Sequence, residues 1–196
     1  MEMLNSEFKH MRQPLPANAT VPNTSTAART MDVADLDICP AAFARERAEW
    51  NKLIYAGINN GAYRAGFAAS QEVYERFCTG FFDTLAKIEE RLSKQRYMVA
   101  PHITDVDIRL FQTLVRLHPI YQYHFRLNKK TIHEYPSVFN YLCELYALNG
   151  TGALVVDLPF CKYHYFYSHR NINPFGIIPL GPAVDYALQH NRHSLD

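Results

Sequence analysis

Apolar residues recur at helical spacing from Ala41 onward. Phe43, Trp50, Leu53, Ile54 and Ile58 fall three, four or seven apart and predict a first helix, with Glu46 and Arg47 interrupting its stripe. Asn59-Asn60-Gly61 reads as its stop, because Asn and Gly favour the turn that ends a helix. The second helix is the clearest. Val73, Phe77, Phe81, Leu85, Ile88 and Leu92 line one face, Ser70 is a candidate N-cap, and Arg91 and Lys94 suit the negative end of the helix dipole. A third helix opens at Thr104, with Asp107 three residues on. That is a capping-box variant, and Ile103 and Ile108 flank it as a hydrophobic staple. Leu110, Leu114, Leu117 and Tyr121 point inward on it. Pro119 removes a backbone donor and predicts a kink near Val115 to Leu117, with room for a pocket beside it. A fourth helix follows Tyr135-Pro136, buries Val138, Tyr141, Leu142, Leu145 and Leu148, and stops at Asn149-Gly150.

Outside this core the pattern weakens. Residues 1–8 make at most two helical turns, and residues 10–38 carry Pro14, Pro16 and Pro22 without a sustained period, which reads as a linker. Residues 152–157 are an apolar run compatible with helix or strand. Pro159 opens a last helix through Ser168. Residues 171–182 are rich in turn formers and read as an extended tail packed by Ile172, Phe175, Ile177 and Ile178. No alternating strand pair appears. The expected fold is all-α, a helical bundle with irregular N- and C-terminal arms.

The chain has 196 residues, 48% hydrophobic and 20% charged, enough to bury a core without disulfides. A net charge of +1 argues against a general nucleic-acid or anionic-membrane binder. Cys39, Cys78, Cys143 and Cys161 show no CxxC spacing and read as thiols of a reducing, cytoplasmic compartment. No apolar run is long enough to cross a bilayer, and the N-terminus has no secretory pattern.

Cys39-Pro40 at a helix start invites a reactive thiolate, but the acids Asp32, Asp35 and Asp37 precede it instead of an apolar strand, so Cys39 reads as a linker residue. His164 and His169 are five apart and do not share a helix face, and the other His pairs fare no better, so no metal site is expected. Tyr163, Tyr165 and Tyr167 fan across a helix, and one or two of their hydroxyls are candidates to donate into a pocket. Tyr63, beside small residues after the Asn-Asn-Gly stop, is the other candidate.

Three separated blocks carry a family likeness. They are Asn59 to Ala68, Ile103 to Arg116, and His164-Tyr165-Phe166-Tyr167-Ser168-His169 followed by Ile172-Asn173-Pro174-Phe175-Gly176-Ile177. In order, from about Pro40 to Pro182, they resemble the C-terminal helical domain of glutathionyl-hydroquinone reductases, the xi-class branch of omega-like glutathione transferases. The resemblance implies residues 1–8 as a remnant of a thioredoxin-like domain, 9–39 as a linker, 40–182 as the helical domain and 183–196 as a polar tail. It implies glutathione as co-substrate, a hydroquinone or quinone as ligand, and a homodimer. Tyr63 and Tyr165 match the tyrosines that hold the quinol oxygens. Phe166 stands where many members carry a second Tyr, which raises the question whether Tyr167 compensates, and Pro159 replaces a more usual polar helix start. The family's nucleophilic Cys belongs to the thioredoxin-like domain, so no catalytic residue is expected in these residues, and this chain alone is expected to turn nothing over. The competing expectation is a non-catalytic helical dimerisation or interaction module.

Overall fold

The computed structural model describes residues 37–148, 152 and 155–195. A 3-10 turn, Ala41–Phe43, enters helix α1, Ala44–Ile54. A π turn, Tyr55–Asn59, joins it to α2, Asn60–Gly66. Helix α3 is Gln71–Leu92 and α4 is Asp105–Arg116. A second π turn, Leu117–Tyr121, and a single helical turn, Gln122–His124, follow α4. After a 3-10 turn, Ile132–Glu134, come α5, Pro136–Ala147, and α6, Leu158–Ser168. A 3-10 turn, Arg192–Leu195, closes the described chain. Among the described residues there is no strand, as the all-α expectation required, and no helix is long and apolar enough to cross a membrane. The expectations for residues 1–8, most of the linker and the Asn149-Gly150 stop lie outside the described residues, as do residues 153 and 154 of the 152–157 run.

Helix α3 is the centre of the bundle and packs against α2 and α5. Phe81, Leu85, Ile88 and Leu92 of its predicted stripe are fully buried. Phe77 is half-buried, with the Arg64 and Arg76 guanidinium carbons 4.1 and 4.8 Å from its ring centre. Ser70 Oγ accepts from Val73 N at 3.3 Å, the expected N-cap.

The cap of α4 does more than its sequence announces. Thr104 N and Oγ1 both donate to Asp107 Oδ2 at 2.9 Å. Asp107 Oδ1 takes two further donors, Met98 N at 2.9 Å and Tyr141 Oη at 2.8 Å. The carboxyl is fully buried, which pushes its pKa up against the pull of these four donors. One side chain thus ties the start of α4 to α5 and to the loop after α3.

Leu148, expected on the buried stripe of α5, lies just past the helix end and is 38% exposed. Two further expectations are corrected. Asn59-Asn60-Gly61 does not end a helix. The path continues through the π turn because the partners of this segment are distant in sequence. Asn59 Nδ2 donates to Arg109 O at 3.0 Å and to Thr113 Oγ1 at 2.7 Å. Gly57 lies so close to α3 that a Cβ would sit 2.2 Å from Thr84 Oγ1. The second correction concerns the tail. Ile172 packs on the core, but Phe175 is 86% and Ile177 68% exposed, and Ile178 is exposed as well. Pro174, Pro179 and Gly176, whose φ is +63°, carry the chain along the surface. The segment after Pro182 turns back. Tyr186 and Arg192 are each only 2% exposed, and Arg192 donates to Leu92 O, Gln95 O and Arg96 O at 2.5–2.6 Å.

Candidate functional site

Pro119 has no N–H to continue α4, and the chain takes the wider π turn, all five residues of which are buried. This turn presents Tyr121 to α6. The Tyr121 ring lies 4.9 Å from Phe125 and 5.3 Å from Tyr165 between centres. Tyr63 of α2 packs on Phe125 from the other side, at 5.0 Å. Gly66 permits this approach, since a Cβ there would be 2.1 Å from the Phe125 ring.

The three phenols meet at their hydroxyls. Tyr63 Oη and Tyr165 Oη are 2.7 Å apart, and Tyr121 Oη and Tyr165 Oη 2.8 Å. Three hydroxyl protons serve two oxygen contacts, so one proton remains for a ligand. Tyr121 is buried and Tyr63 is 37% exposed, so that proton is delivered outward when Tyr121 donates to Tyr165 and Tyr165 to Tyr63. Burial, reinforced by the neighbouring phenols, raises Tyr121 well beyond the ordinary range. Burial raises Tyr165 to about 12. Both stay protonated at neutral pH and act as neutral donors, not as bases.

The hydroxyls open on a cavity of about 570 Å³. Asn59 and Tyr63 form one wall, Arg109, Gln112, Thr113 and Arg116 of α4 a second, and Phe160, Cys161, His164 and Tyr165 of α6 a third, with Tyr121 between. This is the size and make-up of a small-molecule pocket, apolar with a few convergent polar groups.

Both tyrosines singled out from the sequence therefore come together, and a third joins them. Periodicity marked Tyr121 as a core position only. The signal available was its place two residues after a helix-interrupting proline. Phe166 does not line the cavity. It is buried against His124, with ring centres 4.5 Å apart. Tyr167 is exposed, stacked on Tyr163 at 5.3 Å and covered by Arg170 at 4.2 Å, so it brings no hydroxyl to the cavity. Pro159 sits in the first turn of α6, whose N-cap is Asp157, with Oδ1 accepting from Phe160 N at 2.9 Å. Cys39 is not among the lining residues; its N–H donates to Asp37 Oδ1 at 2.9 Å. Among the described residues no group of three or more His, Cys, Asp or Glu is placed to hold a metal.

Behind the phenols, His124 Nε2 and His169 Nδ1 lie 2.9 Å apart. Burial first, then His169 and Arg126, lowers His124 to about 4, and burial lowers His169 too. The unfolded imidazole protonates near 6.5, so acid favours unfolding. Stability from this pair is complete above about pH 6.5 and falls as the pH drops toward 4. Between pH 7 and pH 5 the loss should reach about 1–2 kcal/mol. A melting temperature that is flat over this range would show that the pair is not held neutral.

Residues 71–142 match the family model for the glutathione S-transferase C-terminal domain. The helical unit is a glutathione-transferase C-terminal domain. The chain is 40% identical over 156 residues to glutathionyl-hydroquinone reductase YqjG of Escherichia coli, a match covering 80% of this chain and 47% of that protein. It is 42% identical over 147 residues to glutathionyl-hydroquinone reductase PcpF of Sphingobium chlorophenolicum, covering 75% and 47%. The glutathione-bound structure of E. coli YqjG superposes with a TM-score of 0.82 at 35% identity, covering 98% of this chain and 56% of that one. The Xi glutathione transferase of Phanerochaete chrysosporium gives 0.81 at 34% identity, covering 97% and 55%. Over its helical domain this chain is similar to glutathionyl-hydroquinone reductases and to Xi-class glutathione transferases. It spans about half the length of the curated relatives it matches.

Proposed function

We propose that this chain provides the aromatic-diol pocket of a glutathione-dependent reductase of glutathionyl-hydroquinones. The observation that carries the reading is the Tyr63–Tyr165–Tyr121 hydroxyl chain at the wall of an aromatic cavity. A hydroquinone ring suits the apolar walls, and its oxygen accepts the one spare phenol proton. Tyr63 and Tyr165 are the substrate-binding residues, and Tyr121 backs them.

The sulfur step needs a thiolate that reaches the substrate sulfur and accepts it in a mixed disulfide with glutathione. Cys78 and Cys143 are buried, and burial raises the Cys143 thiol to about 11, which suits neither to that step. Family resemblance assigns the nucleophile and the glutathione site to a thioredoxin-like domain, and this chain to positioning the ring. The same reading includes a homodimer in the cytoplasm. The exposed Phe175, Ile177 and Leu180 support an interface, and sedimentation equilibrium tests it.

The experiment is calorimetric titration of the chain with menadiol under reducing conditions. Tyr165→Phe breaks both hydroxyl contacts and should weaken binding about tenfold, and Tyr63→Phe about fivefold, each with an unchanged helical spectrum. Equal affinity in both variants would reduce the phenols to packing residues.

A further inference from the structure

The α4 wall of the cavity carries two arginines and no acid. Arg109 and Arg116 lie on α4 with Gln112 and Thr113 between them, all facing the cavity. Arg116 is half-buried. Its Nη1 donates to Gln112 O, and to Gln112 Oε1 at 3.1 Å, while its Nε and Nη2 have no hydrogen-bond partner among the described residues. Arg109 has one acidic neighbour, Asp105, with Oδ2 at 3.9 Å. Both Asp105 oxygens are already engaged, Oδ1 by Arg47 Nε at 2.7 Å and Oδ2 by Asn51 Nδ2 at 2.8 Å. No Asp or Glu is among the residues lining the cavity. A guanidinium fork with open donors in an aromatic pocket is complementary to a planar anion.

Resting on the diol reading above, we propose that Arg116, assisted by Arg109, is a carboxylate clamp and that the pocket selects aromatic diols carrying an acidic substituent on the ring. The placement favours a ring substituent over a remote carboxylate. Arg116 and Tyr165 line the same cavity, and the Arg116 charge pulls on the Tyr165 hydroxyl, so one guest can meet clamp and phenol together. The diol oxygen takes the phenol proton, and the carboxylate takes the free Nε and Nη2 donors.

The test compares 2,5-dihydroxybenzoate with its methyl ester by calorimetry on the full chain. The two differ in charge at one position and share the diol. The parent protein should prefer the acid about five- to tenfold. Arg116→Gln should bring the ratio to about one, Arg116→Lys should keep part of it, and Arg109→Gln should lower it less, with circular dichroism confirming the fold in each. A ratio near one in the parent, or a preference that survives Arg116→Gln, overturns the clamp while leaving the diol pocket standing. A parent ratio near one together with Arg116-dependent binding of free glutathione overturns the ring assignment by moving the carboxylate to the peptide. If neither benzoate nor ester binds, while menadiol fails as well, the pocket reading falls and takes the clamp with it.

Discussion

Asp107→Ala is expected to destabilise the helical domain by about 3–5 kcal/mol, because four donors lose their acceptor inside the core. An ordinary cap is worth about 1 kcal/mol. The excess comes from Met98 N and Tyr141 Oη, which are buried and have no route to water. For a chain of this size the melting temperature should fall by roughly 8–15 °C. Asp107→Asn keeps one acceptor oxygen and should fall in between. A melt within about 2 °C of the parent for the alanine variant would show that the loop and α5 re-satisfy these donors themselves.

Arg192→Ala comes second, at about 3 kcal/mol, through its buried cation and three carbonyl contacts. Arg192 joins the end of α3 to Glu144, whose Oε1 already receives Arg96 Nε at 2.6 Å and Tyr97 Oη at 2.9 Å. Removing the guanidinium leaves Leu92 O, Gln95 O and Arg96 O facing a hole. Limited proteolysis should then cut between Pro182 and Arg192 well before the rest of the domain. Unchanged cleavage would mean that Tyr186 alone secures this segment.

What the sequence disclosed was local. The box at Thr104 and Asp107 is legible because its partners are three residues apart. The same Asp107's bonds to Met98 and Tyr141 are not, because nothing in helical spacing records them. Asn59-Asn60-Gly61 carried the local signature of a stop, and it was overridden by Thr84, which packs on Gly57 from 27 residues away, and by Arg109 and Thr113, which bind Asn59 from 50 and 54 residues away. The family likeness named Tyr63 and Tyr165, whereas residue physics alone left Tyr163, Tyr165 and Tyr167 as equal candidates. Packing on Phe125 and His124 is what separates them. The tail misled for a simpler reason. Apolar content predicted burial, but a chain bent by Pro174, Gly176 and Pro179 cannot keep each apolar residue turned toward one face.

The phenol chain offers its last proton at the open end. When Tyr121 donates to Tyr165 and Tyr165 to Tyr63, the proton left over is the one on the exposed Tyr63. A ligand oxygen that only accepts, such as the keto tautomer of a diol, meets this polarity at once, whereas a hydroxyl must first swing its own hydrogen elsewhere. With its hydroxyls so ordered, the pocket favours a guest oxygen that presents lone pairs alone.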